Sequence, residues 1–158
     1  MYRLLQGELQ VLLAHPGGPL WKNKDDGHWT IPKGEAPLEE PLLETAIREF
    51  EEETGIKPHG PFIELGSIRQ KGGKVVHAWA FEGDWDDSEP VRSNTYSMEW
   101  PPGTGNIQNF PEIDRARFFP LTEARRKLKD AQWPLVERLR HLLEGSPGSG
   151  RNDQPPVQ

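Results

Sequence analysis

The 158-residue chain has no cysteine, two methionines and two tyrosines. Without cysteine, disulfides, thiolate metal sites and a cysteine nucleophile are excluded. No apolar run approaches the ~20 residues that cross a membrane, so no membrane partner is expected. The opening Met1-Tyr2-Arg3 lacks the basic-then-apolar pattern of a secretory signal. Net positive charge is lacking too: 25 acidic side chains stand against 19 basic ones, a formal charge of −6. Such a chain has little to drive counterion release from a polyanion, which argues against an extended nucleic-acid partner. Together these absences predict a soluble, cytoplasmic protein. The length predicts one domain over residues 1–145. Residues 146–158 carry one aliphatic side chain and are expected to be a disordered tail.

The negative charge is local. Seven glutamates and one arginine lie between Glu39 and Glu53, a charge of −7 + 1 = −6, so the remainder is neutral. A glutamate run is most often a solvated helix face. The pattern around this one suggests more.

Residues 1–5 and 8–15 read as two strands joined at Gln6-Gly7. Residues 16–28 form a loop rich in Gly, Pro and charge. A helix is predicted from about Leu38 to Thr54, stopped by Gly55. Residues 62–70, 74–82, 94–100 and 115–119 read as strands, and 101–111 as a loop. Pro120 and Thr122 start a helix to about Leu128, and Asp130 caps a last one with Leu135, Leu139 and Leu142 in register. Strands mixed with a few helices, without regular alternation, predict an α+β fold or an α/β/α sandwich.

On a helical wheel with Glu49 at 0°, Glu52 falls at about 300° and Glu53 at about 40°. Phe50, Leu43 and Ile47 fall at about 100°, 120° and 160°. Three carboxylates therefore converge beside an apolar face. Carboxylate oxygens suit hard cations such as Mg²⁺ and Mn²⁺. Arg48 can pair with Glu44 or Glu52 and orient the cluster. Upstream, Gly34 lets the backbone approach an ion, and Lys33 suits a phosphate.

Residues 34–56, GEAPLEEPLLETAIREFEEETGI, resemble the Nudix box, G-x5-E-x7-R-E-U-x-E-E-x-G-U with U apolar. Gly34, Glu40, Arg48, Glu49, Phe50, Glu52, Glu53, Gly55 and Ile56 fill every defined position. Chance agreement at one start is about 10⁻⁸ at ordinary composition. The resemblance implies a Nudix-type α/β/α sandwich with a mixed β-sheet. It implies a hydrolase for a diphosphate joined to another moiety, with water attacking phosphorus. Glu49, Glu52 and Glu53 would bind Mg²⁺ or Mn²⁺ with a Lys33 or Gly34 carbonyl. Arg48 would orient the carboxylates, and Glu40 and Gly55 would shape the loop–helix–loop. Glu49 or Glu53 is the implied catalytic base, with Glu112 the candidate outside the box. The preceding WTIPKG is similar to members acting on dinucleoside polyphosphates, and to members acting on diphosphoinositol phosphates. The favoured partner is therefore a small nucleotide or polyphosphate: a dinucleoside polyphosphate or nucleoside triphosphate. The alternatives are a diphosphoinositol polyphosphate hydrolase or a catalytically silent nucleotide sensor.

Outside the box, Arg3 and Arg69 are candidate phosphate contacts, with a solvated surface charge as the plainer reading. His15 is a cleft candidate at a strand end, with a satisfied strand-end histidine as the plainer reading. Trp21, beside Lys22 and Lys24, could stack on a base. His77 and Trp79 share a strand face that is either core or substrate cleft.

Overall fold

The structure is a computed structural model and describes residues 1–146. Residues 147–158, most of the expected tail, lie outside the described residues.

Strands β1 (Tyr2–Leu5) and β2 (Glu8–Pro16) form an antiparallel hairpin with Leu5 opposite Glu8. Its two turn residues, Gln6 and Gly7, have φ of 51° and 81°. Positive φ at both positions suits the right-handed twist of a two-residue hairpin. Strand β2 also pairs antiparallel with the late strand β7 (Ile113–Pro120). Strands β3 (Ile63–Arg69) and β4 (Val75–Ala80) form a second hairpin. A parallel bridge between Tyr2 and Glu82, just past β4, joins it to β1, so the sheet is mixed. The expected α+β architecture is the observed one.

Helix α1 (Leu42–Thr54) lies on one face of this sheet. Helices α2 (Leu121–Lys127) and α3 (Trp133–Gly145) serve the other. Leu12 and Leu13, 2% and 0% exposed, show why both faces are covered. Successive residues of β2 point to opposite sides. Leu12 packs with Phe50, Phe81 and Phe118 on the α1 side. Leu13 packs with Leu65, Leu135 and Leu139 on the α3 side. Each such buried side chain contributes roughly 1.5–3 kcal/mol.

Several boundaries differ from the sequence reading. Helix α1 starts at Leu42, not Leu38. Pro41 disfavours helical backbone at the residue before it and takes the N-cap place itself. Residues 107–111 are a strand, β6 (Ile107–Pro111), paired antiparallel with β5 (Thr95–Glu99). The surrounding Pro and Gly hide a ribbon whose outward residues carry no clear apolar alternation. Asp130 does not cap α3. It opens a short 3₁₀ turn, and its carboxylate accepts a hydrogen bond from Arg125. Leu135 and Leu139 are buried as expected, but Leu142 is 46% exposed.

Leu135→Ala should therefore cost about 2–5 kcal/mol of unfolding free energy, and Leu142→Ala less than about 1 kcal/mol. Denaturant titration of the two variants checks which face of α3 meets the sheet.

Candidate active site

The box helix buries its three carboxylates to different depths, and the helical wheel explains the order. Glu53, nearest the apolar face, is 7% exposed. The Glu49 side chain is 15% exposed, and that of Glu52, furthest round, 43%. Glu53 accepts a hydrogen bond from the Lys33 backbone N–H at 3.0 Å. This ties the start of the box to the end of the helix. Gly34 packs directly against the Glu49 carboxyl group, where any Cβ would collide with it.

Arg48 organises the rest. Its Nε and Nη2 donate to the two Glu40 oxygens at 3.0 and 2.8 Å. Its Nη1 donates to Glu49 and Glu52 at 3.2 Å. Glu40, not Glu44, is thus the principal partner. Thr45 also donates its hydroxyl to Glu40. The arginine beside Glu40 holds that carboxyl below its ordinary range. At the other end of α1, Gly55 adopts φ 75° and donates to the Glu51 carbonyl. A Cβ at Gly55 would press on Arg92. The Arg92 and Asn94 amides donate to the Thr54 and Glu52 carbonyls, which brings the β5–β6 ribbon up to the helix.

Glu112 lies between β6 and β7 and faces the same wall. Burial pushes the Glu53 carboxyl up to about 7, with the Glu112 and Glu49 charges adding to the rise. Burial also raises Glu49, while Arg48 opposes the rise. Burial is thus the chief cause in both, and the neighbouring carboxylates add to it.

A cavity of about 750 Å³ opens between α1 and the sheet, and Lys33, Gly34, Glu49, Glu53 and Glu112 lie along it. His77 and Trp79 also line it. Their strand face is divided: Phe81 packs into the core, His77 is exposed and Trp79 half-buried. A smaller cavity of about 280 Å³ shares Lys33, Glu53 and Glu112 and reaches Trp21, Tyr96 and Lys129.

The structure places three other candidates away from both cavities. His15 is 0% exposed. Its Nδ1 lies 2.8 Å from Asp114 and its Nε2 2.6 Å from the Lys24 carbonyl, so both ring nitrogens are taken. Arg3 donates to Gln10 and Asp84 and covers the Phe118 ring at 4.0 Å. Arg69 folds back on the Gly73 carbonyl in the β3–β4 turn. The sequence reading did not single out Lys129, which reaches the site through the backbone pairing of Trp29 with Leu128. No local motif marks it.

Residues 1–139 match the NUDIX domain family model, and the chain belongs to that family. It is 41% identical over 80 residues to the rat bis(5'-nucleosyl)-tetraphosphatase [asymmetrical], covering 46% of this chain. The match spans about half of that relative's length, 54%. Among solved structures, a Caenorhabditis elegans Ap4A hydrolase binary complex matches with a TM-score of 0.61 and 22% identity, over 91% of this chain and 94% of that one. The NUDIX domain of Shewanella oneidensis NrtR, complexed with ADP ribose, matches with a TM-score of 0.60 and 18% identity, over 90% and 82%. These two likenesses speak for the fold.

The Glu53 shift has a consequence for stability. A carboxyl whose folded value is raised binds its proton more tightly folded than unfolded. Its stabilising effect is complete below the unfolded value, near 4.5, and is lost as pH rises through about 7. In chelator, Glu53→Gln should match the native chain in melting temperature near pH 4. It should exceed it near pH 8, by the equivalent of about 1–3 kcal/mol. A constant difference across that range would contradict the assignment.

Proposed function

We propose that this chain is a metal-dependent hydrolase of phosphoric anhydride bonds. Its substrate is a nucleoside diphosphate linked to a further group, with a dinucleoside polyphosphate favoured. The observation that carries this reading is the complete box folded as one unit. Glu53 is buried and Glu49 half-buried beside Lys33-Gly34, Arg48 braces Glu49 and Glu52, and Glu112 lines the same cavities. The relationship to a tetraphosphatase supports the substrate class.

The donor set suits Mg²⁺ or Mn²⁺. Glu49, Glu52 and Glu53, with a Lys33 or Gly34 carbonyl, would hold the ion. The fit is one of chemistry and charge: Glu49 and Glu53, raised chiefly by burial and further by neighbouring carboxylates, are relieved by a hard cation. Among the described residues, no three acidic or histidine side chains are yet gathered closely enough to hold a metal ion, so binding would have to draw these carboxylates together. Arg48 holds both Glu52 oxygens at 3.2 Å, so an ion that took Glu52 as a ligand would compete with that arginine. When bound, the metal neutralises charge at the phosphoryl oxygens and acidifies the attacking water.

The protein's own part is positional. Arg48 holds Glu49 and Glu52 in place while taking most of its own support from Glu40. Glu53, Glu49 or Glu112 takes the proton of the attacking water. Few cations stand over the larger cavity, and Lys74 there is paired with Glu35. That balance favours a linear polyphosphate over a densely phosphorylated inositol.

Glu53→Gln should lower kcat on diadenosine tetraphosphate by about 10²-fold or more while the fold is retained. Phosphate and nucleotide release, followed by chromatography, checks this, and an unchanged rate would remove Glu53 from the chemistry. Chelation should abolish turnover and Mg²⁺ should restore it. Ca²⁺, with its longer and looser coordination, should not.

A further inference from the structure

The smaller cavity has a composition that hydrolysis at the box does not by itself require. Its lining combines acidic Glu53 and Glu112 with basic Lys33 and Lys129 and aromatic Trp21. Neither lysine belongs to the ion pairs that occupy Lys74 and Lys127. The Lys129 ammonium is half-buried, close to Lys33 and 5.6 Å from the centre of the Trp21 ring. Lys33 has the Glu53 charge nearby, which leaves Lys129 as the cation turned to the Trp21 ring. Trp21 lines the same cavity. It does not belong to either apolar core, and its neighbours are Lys24 at 5.0 Å, Lys129 and His28.

The cavity is built rather than incidental. Tyr96 donates its hydroxyl to the Gly17 carbonyl at 3.0 Å, and Gly17 N–H donates to the Glu112 carbonyl at 2.9 Å. These bonds lock the β5–β6 ribbon to the loop that carries Trp21. The Lys24 carbonyl on His15 and the Asp25 carboxylate on Lys127 and Trp29 anchor the far end of that loop.

We propose that the smaller cavity seats the distal half of a two-ended substrate. Lys33 and Lys129 clamp phosphate oxygens beyond the scissile bond, and a planar base lies on the Trp21 indole. The larger cavity, with Trp79, then takes the proximal nucleoside, and the carboxylates lie where the two cavities meet. This rests on the hydrolase reading and deepens it: Trp21 and Lys129 distinguish substrates with a base at both ends of the phosphate chain from those with one. Base–aromatic stacking and charge-assisted phosphate contacts are each large enough to set such a preference.

The test compares the native chain with Trp21→Ala and Lys129→Ala on diadenosine tetraphosphate and on ATP, with Mg²⁺. Each variant should lose about tenfold or more in kcat/KM on the dinucleotide and about twofold or less on ATP, mostly through KM. Equal losses on both substrates, or no loss, overturn the proposal. Calorimetric titration of diadenosine tetraphosphate into the Glu53→Gln background, with and without Trp21→Ala, separates this from the hydrolase reading. If the native chain cleaves neither compound, weaker binding on loss of Trp21 still supports the subsite. Unchanged binding, or none in either form, overturns it.

Discussion

The paired contact between Arg48 and Glu40 is the constraint on which the site depends. Seven glutamates crowd into fifteen residues, and their mutual repulsion opposes any compact arrangement. Arg48 meets both oxygens of Glu40 across the loop–helix junction, and the same guanidinium reaches Glu49 and Glu52. A planar fork of donors meets both oxygens of one carboxylate while reaching others, a bidentate geometry that a lysine ammonium lacks. With Glu40 held, the loop before α1 is fixed. Lys33 then meets Glu53, and Gly34 lies against Glu49.

This arrangement leaves Glu53 with a cost. Its carboxylate is buried beside two others and has one backbone donor for compensation. Placing charge where it is unstable is how an active site stores affinity for a ligand that relieves it. The sheet makes this tolerable. Leu12, Phe50, Phe81 and Phe118 hold α1 to one face, while Leu13 and its partners secure the other. The cavity opens where α1 and the sheet stop meeting, past Phe81 towards His77 and Trp79.

Much of this was legible from residue order. The spacing of Glu49, Glu52 and Glu53 placed them beside the apolar stripe, and their observed burial follows that angle. The Gln6-Gly7 turn and the Gly55 stop were equally plain, because each depends on local backbone preference. The β5–β6 ribbon was harder to read, since both its strands alternate between exposed and half-buried residues, with no strong apolar face. In the sequence His15 is a cleft candidate with a satisfied strand-end histidine as the plainer reading, and the plainer reading holds. Only Asp114, a neighbour across the sheet, and the Lys24 carbonyl decide between them.

The sequence by itself determined the box, its helix and the kind of chemistry its carboxylates can support. Those properties come from interactions within a few residues, which helical periodicity makes visible. Only the tertiary structure decided which distant side chains complete the site. Glu112 arrives through the pairing of β7 with β2, and Lys129 through the bridge beside Trp29. Arg3 and Arg69 were drawn off to other partners by the same packing. Long-range pairing is set by the burial of whole strands, so no short stretch of sequence carries its outcome.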